Sequence, residues 1–175
     1  PYTPMESLDK VKRLAAILNK HQKPGTLYAC NFSEIQKKIR DVCNPKFRTV
    51  LYRRYMMRIA NAIAHKERSQ ALITGESVGQ VASQTMQAIA CTDAVADMPV
   101  FRPLIGFDKV DIIEIAKKIG TFETSCLPFE DCCTVFTPKH PATKPKMDVI
   151  LEGESKLDGD ALIAAALENT EVFEL

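Results

Sequence analysis

Ala71-Leu72-Ile73-Thr74-Gly75-Glu76-Ser77-Val78-Gly79-Gln80-Val81-Ala82-Ser83-Gln84-Thr85 is the stretch that decides the fold. ALIT (71–74) reads as a short buried strand, and Gly75-Glu76-Ser77 turns the chain out of it. Ser77 with Gln80 fits a capping box, so a helix is predicted from about Val78, with Val78, Val81, Ala82, Thr85 and Ile89 as its inner face. A strand that runs straight into a helix is the unit of a parallel sheet.

The same alternation extends outward on both sides. Upstream, residues 6–20 predict an amphipathic helix with Leu8, Val11, Ala15 and Leu18 on one face. GTLYACNF (25–32) predicts a strand, and Ser33 with Gln36 a second capping box and helix. Asn44-Pro45 breaks that helix, and a long one follows over about 47–66, with Leu51, Tyr55, Ile59, Ala62 and Ile63 as its apolar stripe. Downstream, PVFRPLIGF (99–107) predicts a strand and exit turn. Asp108 caps the next helix and Gly120 stops it. ALIAAALE (161–168) is a last short helix. The expected fold is α/β: a mainly parallel sheet covered by helices on both faces, a three-layer sandwich. Ligands of such sheets sit beyond the carboxyl ends of the strands, here after ALIT and after the strand of residues 99–107.

Composition narrows the function classes. With 175 residues and 46% hydrophobic content, the chain is neither disordered nor a disulfide-stapled mini-protein. No apolar run is long enough to cross a bilayer, so no membrane partner is expected. Net charge is +1, but the charges are segregated. Residues 37–68 hold ten basic groups against Asp41 and Glu67, whereas Asp148 to the end holds eight acids against Lys156. A basic stretch of this kind suits phosphate or nucleic acid, or else a solvated helix face. The six cysteines lack a secreted framework's spacing, which favours a reducing, cytoplasmic setting.

Four groups of residues could carry chemistry. In the first, Ser77, Gln80 and Gln84 share a helix face, Gly75 and Gly79 allow close approach, and Gln84 offers an amide edge to a nucleobase. A polar outer helix face is the plainer alternative. In the second, Arg53 or Arg54 could clasp a phosphate, or simply belong to a wet surface. In the third, Cys132-Cys133, with Cys126 nearby, could carry sulfane sulfur as a persulfide. Cys126, Cys132, Cys133 and His140 match no known zinc spacing, and no metal ligand is assigned. In the fourth, Lys139, His140, Lys144 and Lys146 lie on a proline-spaced strap (137–146) that could follow a phosphate backbone or merely connect.

Taken together, LITGESVGQVASQT, PVFRPLIGFDKVDIIEIAKKIGTFETS and PFEDCCTVFTPKHPATKPK closely resemble the catalytic domain of the tRNA 4-thiouridine synthetases, also called thiamine-biosynthesis sulfurtransferases. The resemblance covers nearly the whole chain. It implies a pyrophosphatase-loop fold, similar to the adenine-nucleotide α-hydrolases and Rossmann-like. It implies that ATP, with Mg2+, adenylates the C4 oxygen of a tRNA uridine. A cysteine persulfide loaded by a cysteine desulfurase then delivers sulfur, and thiamine thiazole synthesis is a possible second use. Arg53, Gly75 and Gln84 match the family's ATP-contacting positions. The sulfur-bearing cysteine is Cys133 or Cys132, and the resolving thiol is its neighbour, Cys126 or a thiol of another protein. A homodimer is a further expectation.

The S-G-G-x-D-S phosphate loop of that family lies upstream of its matching region and is not among these residues. The expected organisation is therefore the downstream part of the catalytic domain (1–150) and an acidic helical tail (151–175). Such a piece alone is expected to be inactive. The alternative is a non-catalytic sulfur carrier or RNA-binding module on the same scaffold.

Overall fold

A computed structural model describes residues 5–129, 136, 138 and 140–175 of the chain. In chain order its elements are α1 (Met5–Leu18), β1 (Thr26–Cys30), α2 (Ser33–Val42), α3 (Arg48–Lys66), β2 (Leu72–Ile73) and α4 (Met86–Asp93). Then follow β3 (Val100–Phe101), α5 (Lys109–Lys118), α6 (Phe122–Ser125), α7 (Met147–Glu154), α8 (Gly159–Glu168) and β4 (Thr170–Glu174). Short 3-10 turns, Pro45–Phe47 and Ala82–Gln84, lead into α3 and α4.

The long helix α3 is the axis of the molecule. It packs against α2, α4, α7, α8 and β2. Leu51, Tyr55 and Ile59 of the predicted stripe are buried, and so are Val50, Tyr52, Met57 and Ala64 on other faces. A helix covered on several sides cannot show a single clean stripe. Its core neighbours are Ile35 and Ile39 of α2, Ala88 and Cys91 of α4, Ile150 of α7 and Ala166 of α8. The ring of Phe32 meets Tyr52 edge-on at 6.2 Å, a favoured aromatic geometry.

The α/β class holds, but the strand pairing is more divided than a single parallel sheet. β2 and β3 run parallel, Leu72 opposite Val100 and Ile73 opposite Phe101. β1 pairs antiparallel with β4, from Thr26 opposite Glu174 to Cys30 opposite Thr170. Thr170-Glu171-Val172-Phe173-Glu174, placed by the sequence reading in a helical tail, is a strand: Thr170, Val172 and Phe173 favour extended backbone, and the ladder with β1 fixes it. The stretch 151–175 thus holds the end of α7, then α8 and then β4.

Local structure differs from the sequence reading in three further places. Ser33 lies inside α2 and is buried, and it is the side chain of Asn31 that accepts from the Ser33 N–H at 3.2 Å. Asp108 stands at the cap of α5 without a side-chain bond to that helix. Val11 and Leu18, expected on the inner face of α1, are exposed, since that helix buries none of its residues. Gly120 does stop α5, with φ of +79°, a left-handed turn that glycine adopts without steric cost. Among the described residues no helix is long and apolar enough to cross a membrane.

A buried ion cluster ties α3 to α7. Arg54 is 2% exposed and grips Glu154 with two bonds, Nε to Oε1 at 2.8 Å and Nη2 to Oε2 at 2.7 Å. Arg58 donates to the same two oxygens at 2.7 and 2.9 Å. Arg54 also donates to the Cys91 carbonyl and, at 3.7 Å, to Met147 Sδ. Burial pushes the Glu154 carboxyl up, but the bonds and charges of the two arginines outweigh it and hold the group at about 2.

Glu154→Ala would leave Arg54 charged and buried without its partner. It is expected to cost about 3–5 kcal/mol, read as a fall in melting temperature. The folded-state value lies below the ordinary one, so the stabilisation is complete above about pH 4.5 and is lost as pH falls through about 2. Acid unfolding monitored by circular dichroism should therefore begin at higher pH in Glu154→Ala than in wild type, and the stability gap between them should shrink as pH falls from about 4.5 toward 2.

Candidate functional site

The loop after β2 is not the predicted helix. Residues 78–81 turn, Gly79 takes φ of +81°, and helix begins only at Met86. A left-handed residue two positions after Ser77 ends any helix begun there. Thr85 caps α4 instead, its hydroxyl accepting from the Ala88 N–H at 3.2 Å. Val78 and Val81, expected inside, are exposed.

The fold-back brings distant residues together. Gln84 Oε1 accepts from the Ser77 N–H at 3.1 Å, and the Gln84 carbonyl accepts from the Gly79 N–H at 3.0 Å. Ser77 Oγ donates to the Phe107 carbonyl at 2.8 Å, and the Val78 N–H to the Ile105 carbonyl at 3.0 Å. The loops after β2 and β3 are thereby pinned to each other, at the carboxyl ends of the two parallel strands.

Glu76 is the centre of the charges here. It is 2% exposed. Its Oε1 accepts from Arg53 Nη2, and its Oε2 accepts from Arg102 Nε at 2.7 Å and Thr74 Oγ1 at 2.9 Å. Arg102 in turn donates to Asp93. Burial would raise the Glu76 carboxyl, but the Arg102 and Thr74 bonds and the two positive charges hold it below its ordinary value. Sequence reasoning passed over Glu76, Arg102 and Asp93. The signal available was an acid placed directly after a strand-ending Gly, since a carboxylate seldom turns inward without cations to meet it.

The structure therefore brings Arg53, Gly75 and Gln84 around one tripeptide. Gly75 precedes Glu76, which holds Arg53, and Ser77 holds Gln84. A Cβ at Gly75 would meet no atom within 4 Å, so the chain's own packing does not demand glycine there. Arg53 is 27% exposed, and its Nε is buried with no hydrogen-bond partner among the described residues, as are Arg48 Nε and Asn61 Oδ1 elsewhere. The neighbouring arginine is different: Arg54 is sealed against Glu154 and is no candidate for a phosphate. Much of the basic stretch is likewise paired, Lys37 with Glu34 and Arg40 with Asp41.

Cys132, Cys133 and Lys139 lie outside the described residues. The far end of their strap is docked rather than free. The Ala142 N–H donates to the Lys46 carbonyl at 2.9 Å, and Thr85 Oγ1 donates to the Thr143 carbonyl at 2.7 Å. Pro145 is buried, while His140, Lys144 and Lys146 remain exposed. Thr85 follows Gln84, so the strap is anchored one residue from the candidate site. Of the described cysteines, burial pushes the thiols of Cys43 and Cys91 up, away from the reactive thiolate, and Cys126 is exposed. Two clefts lie apart from this loop, about 420 Å³ beside Tyr55, Arg58 and Asp158 and about 440 Å³ beside Tyr28, Glu67 and Leu72.

Comparison with known proteins places these residues in context. The family model described as thiamine biosynthesis protein (ThiI) matches residues 1–158. A probable tRNA sulfurtransferase of Alkaliphilus oremlandii is 54% identical over 172 residues, covering 98% of this chain and 44% of the relative. One of Acetivibrio thermocellus is 54% identical over 173 residues, covering 99% of this chain and 44% of the relative. The chain thus spans about half the length of the curated relatives it matches. Among solved structures, a 4-thiouridine synthetase in complex with RNA and bound ATP superposes with a TM-score of 0.93 at 36% identity, over 99% of this chain and 46% of that one.

Thr85→Val would remove both the helix cap and the strap anchor. The expected cost is about 1–2 kcal/mol, with faster amide exchange at Ala88 and across 140–146.

Proposed function

The chain belongs to the ThiI family, and from that premise we propose that it is part of the catalytic domain of an ATP-dependent tRNA sulfurtransferase that makes 4-thiouridine. The observation that carries this reading is the convergence of Arg53, Gly75 and Gln84 on one loop at the carboxyl ends of β2 and β3. In this reading the finer architecture is the mainly parallel three-layer sandwich of the adenine-nucleotide α-hydrolases. The likeness to an ATP-bound 4-thiouridine synthetase supports it.

Each residue then has a task. Arg53, held on one side by Glu76, offers its remaining N–H donors to ATP. Gly75 lets the nucleotide come close to the backbone. Gln84 presents an amide to an edge of the nucleotide, its side-chain oxygen being already turned to Ser77. The uridine C4 oxygen attacks the α-phosphorus of ATP and pyrophosphate leaves. That converts a poor leaving group into a phosphate ester.

Sulfur delivery follows. The terminal sulfur of a persulfide on Cys133 or Cys132 attacks C4, and AMP departs. A second thiolate then attacks the cysteine sulfur. The S–S bond breaks, its electron pair goes to the sulfur left on C4, and a cysteine–cysteine disulfide forms, to be reduced by an outside thiol. Candidates for the second thiolate are the adjacent cysteine, Cys126 and a thiol of another protein.

The partners in this reading are tRNA and a cysteine desulfurase, with a homodimer as the assembly and the reducing cytoplasm as the setting. Thiamine thiazole synthesis is a second sink for the sulfur. Mg2+ is expected with the phosphates of ATP. Among the described residues no three His, Cys, Asp or Glu groups converge on a metal, and no step is assigned to it.

The full-length protein, incubated with ATP, desulfurase, cysteine and unmodified tRNA, is expected to form 4-thiouridine. No product would reject the reading. Arg53→Ala and Gln84→Ala are each expected to weaken ATP binding about 10–100-fold by calorimetry, the loss of a hydrogen bond to a charged ligand. Cys133→Ser or Cys132→Ser is expected to abolish sulfur transfer while pyrophosphate release continues. Full transfer by both single variants and by the double variant would remove the cysteine assignment.

A further inference from the structure

Every residue assigned to ATP above is held through the tripeptide Gly75-Glu76-Ser77, in which Glu76 holds Arg53 without touching the nucleotide. Glu76 is buried, yet it carries a full charge. To close the loop alone, a buried carboxylate needs only partners fixed in that loop and its neighbour. Glu76 instead divides its two oxygens. One takes Arg102 and Thr74, which are themselves rooted, Arg102 through Asp93 and Thr74 through its backbone bond to β3. The other takes Arg53, which is partly exposed and reaches in from α3. The rooted oxygen fixes the carboxylate, and the free oxygen fixes the guanidinium.

From this arrangement we infer that Glu76 is a positioning residue for the ATP-binding step, orienting Arg53 toward the nucleotide through a carboxylate that Arg102 and Thr74 hold rigid. The inference rests on the assignment of Arg53 to ATP. Charge bookkeeping supports it. Arg53 and Arg102 balance Glu76 and Asp93, so the guanidinium of Arg53 is neutralised on the protein side and keeps its remaining donors for an anion. Without Glu76, Arg53 has one fewer rotational constraint and Arg102 has one fewer acceptor. An arginine that must find its orientation during binding loses affinity to ordering entropy.

The test is a double-mutant cycle on the full-length protein. Glu76→Gln keeps the shape but sets an amide N–H against one of the two guanidinium groups. Its affinity for ATP, measured by calorimetry, is expected to fall about tenfold. KM for ATP should rise by a similar factor, kcat should change less than about threefold, and tRNA affinity should be unchanged. In the Arg53→Ala background, Glu76→Gln is expected to have no further effect on ATP affinity. Thr74→Val, which alters no charge, is the second variant. It should weaken ATP binding about threefold, and again not when Arg53 is absent.

Glu76→Gln binding ATP as wild type does, or weakening it equally with and without Arg53, would overturn the positioning role. Arg53→Ala binding ATP as wild type does would instead overturn the earlier assignment of Arg53 to ATP.

Discussion

Consecutive residues of a helix point about 100° apart, and this chain puts that constraint to use at Arg53 and Arg54 of α3. Two guanidinium groups side by side in sequence leave the helix in different directions and meet different carboxylates. Arg54 turns to Glu154 of α7 and is sealed there with Arg58. Arg53 turns to Glu76 in the loop after β2 and stays partly exposed. One arginine locks the C-terminal helices to the core, and the other reaches the site. Burying α3 is tolerable only because both acids are present, since an unpaired buried charge costs several kcal/mol.

That division explains the charge pattern. The basic segment and the acidic tail do not stand as two separate surfaces. They meet, because Glu154 belongs to the acidic stretch while Arg54 and Arg58 belong to the basic one. The docked strap adds exposed basic side chains, His140, Lys144 and Lys146, and is anchored at Thr143 to Thr85 beside Gln84. The strap that leads on from the cysteine segment is therefore tied to the same loop that gathers Arg53, Gly75 and Gln84.

Much of this was legible in the sequence, and the misses share a cause. The strands 25–32, 71–74 and 99–107 and the helices from 33, 47 and 108 stand near where hydrophobic period and breakers put them. The resemblance of the three motifs to the tRNA 4-thiouridine synthetases agrees with the family match. The capping boxes failed because a side-chain pattern says nothing of backbone φ. At Gly79 a left-handed turn overrode the box at Ser77, and at Asn31 a neighbouring side chain took the task expected of Ser33. β4 was hidden because its pairing with β1 joins residues about 140 positions apart, beyond any local window. Glu76 was hidden because its two cationic partners lie 23 and 26 positions away, on α3 and after β3. The roles proposed for Arg53, Gly75 and Gln84 rest on resemblance, whereas their meeting at one loop is a matter of fold.

The central claim is that nucleotide binds at the loop after β2 and not at the arginine cluster beside α7. Amide hydrogen exchange of the full-length protein, with and without saturating ATP, tests it most directly. The account predicts slower exchange across residues 74–85, including the Ser77 and Gly79 amides, with 147–154 unchanged. Protection at 147–154 with none at 74–85 would contradict it.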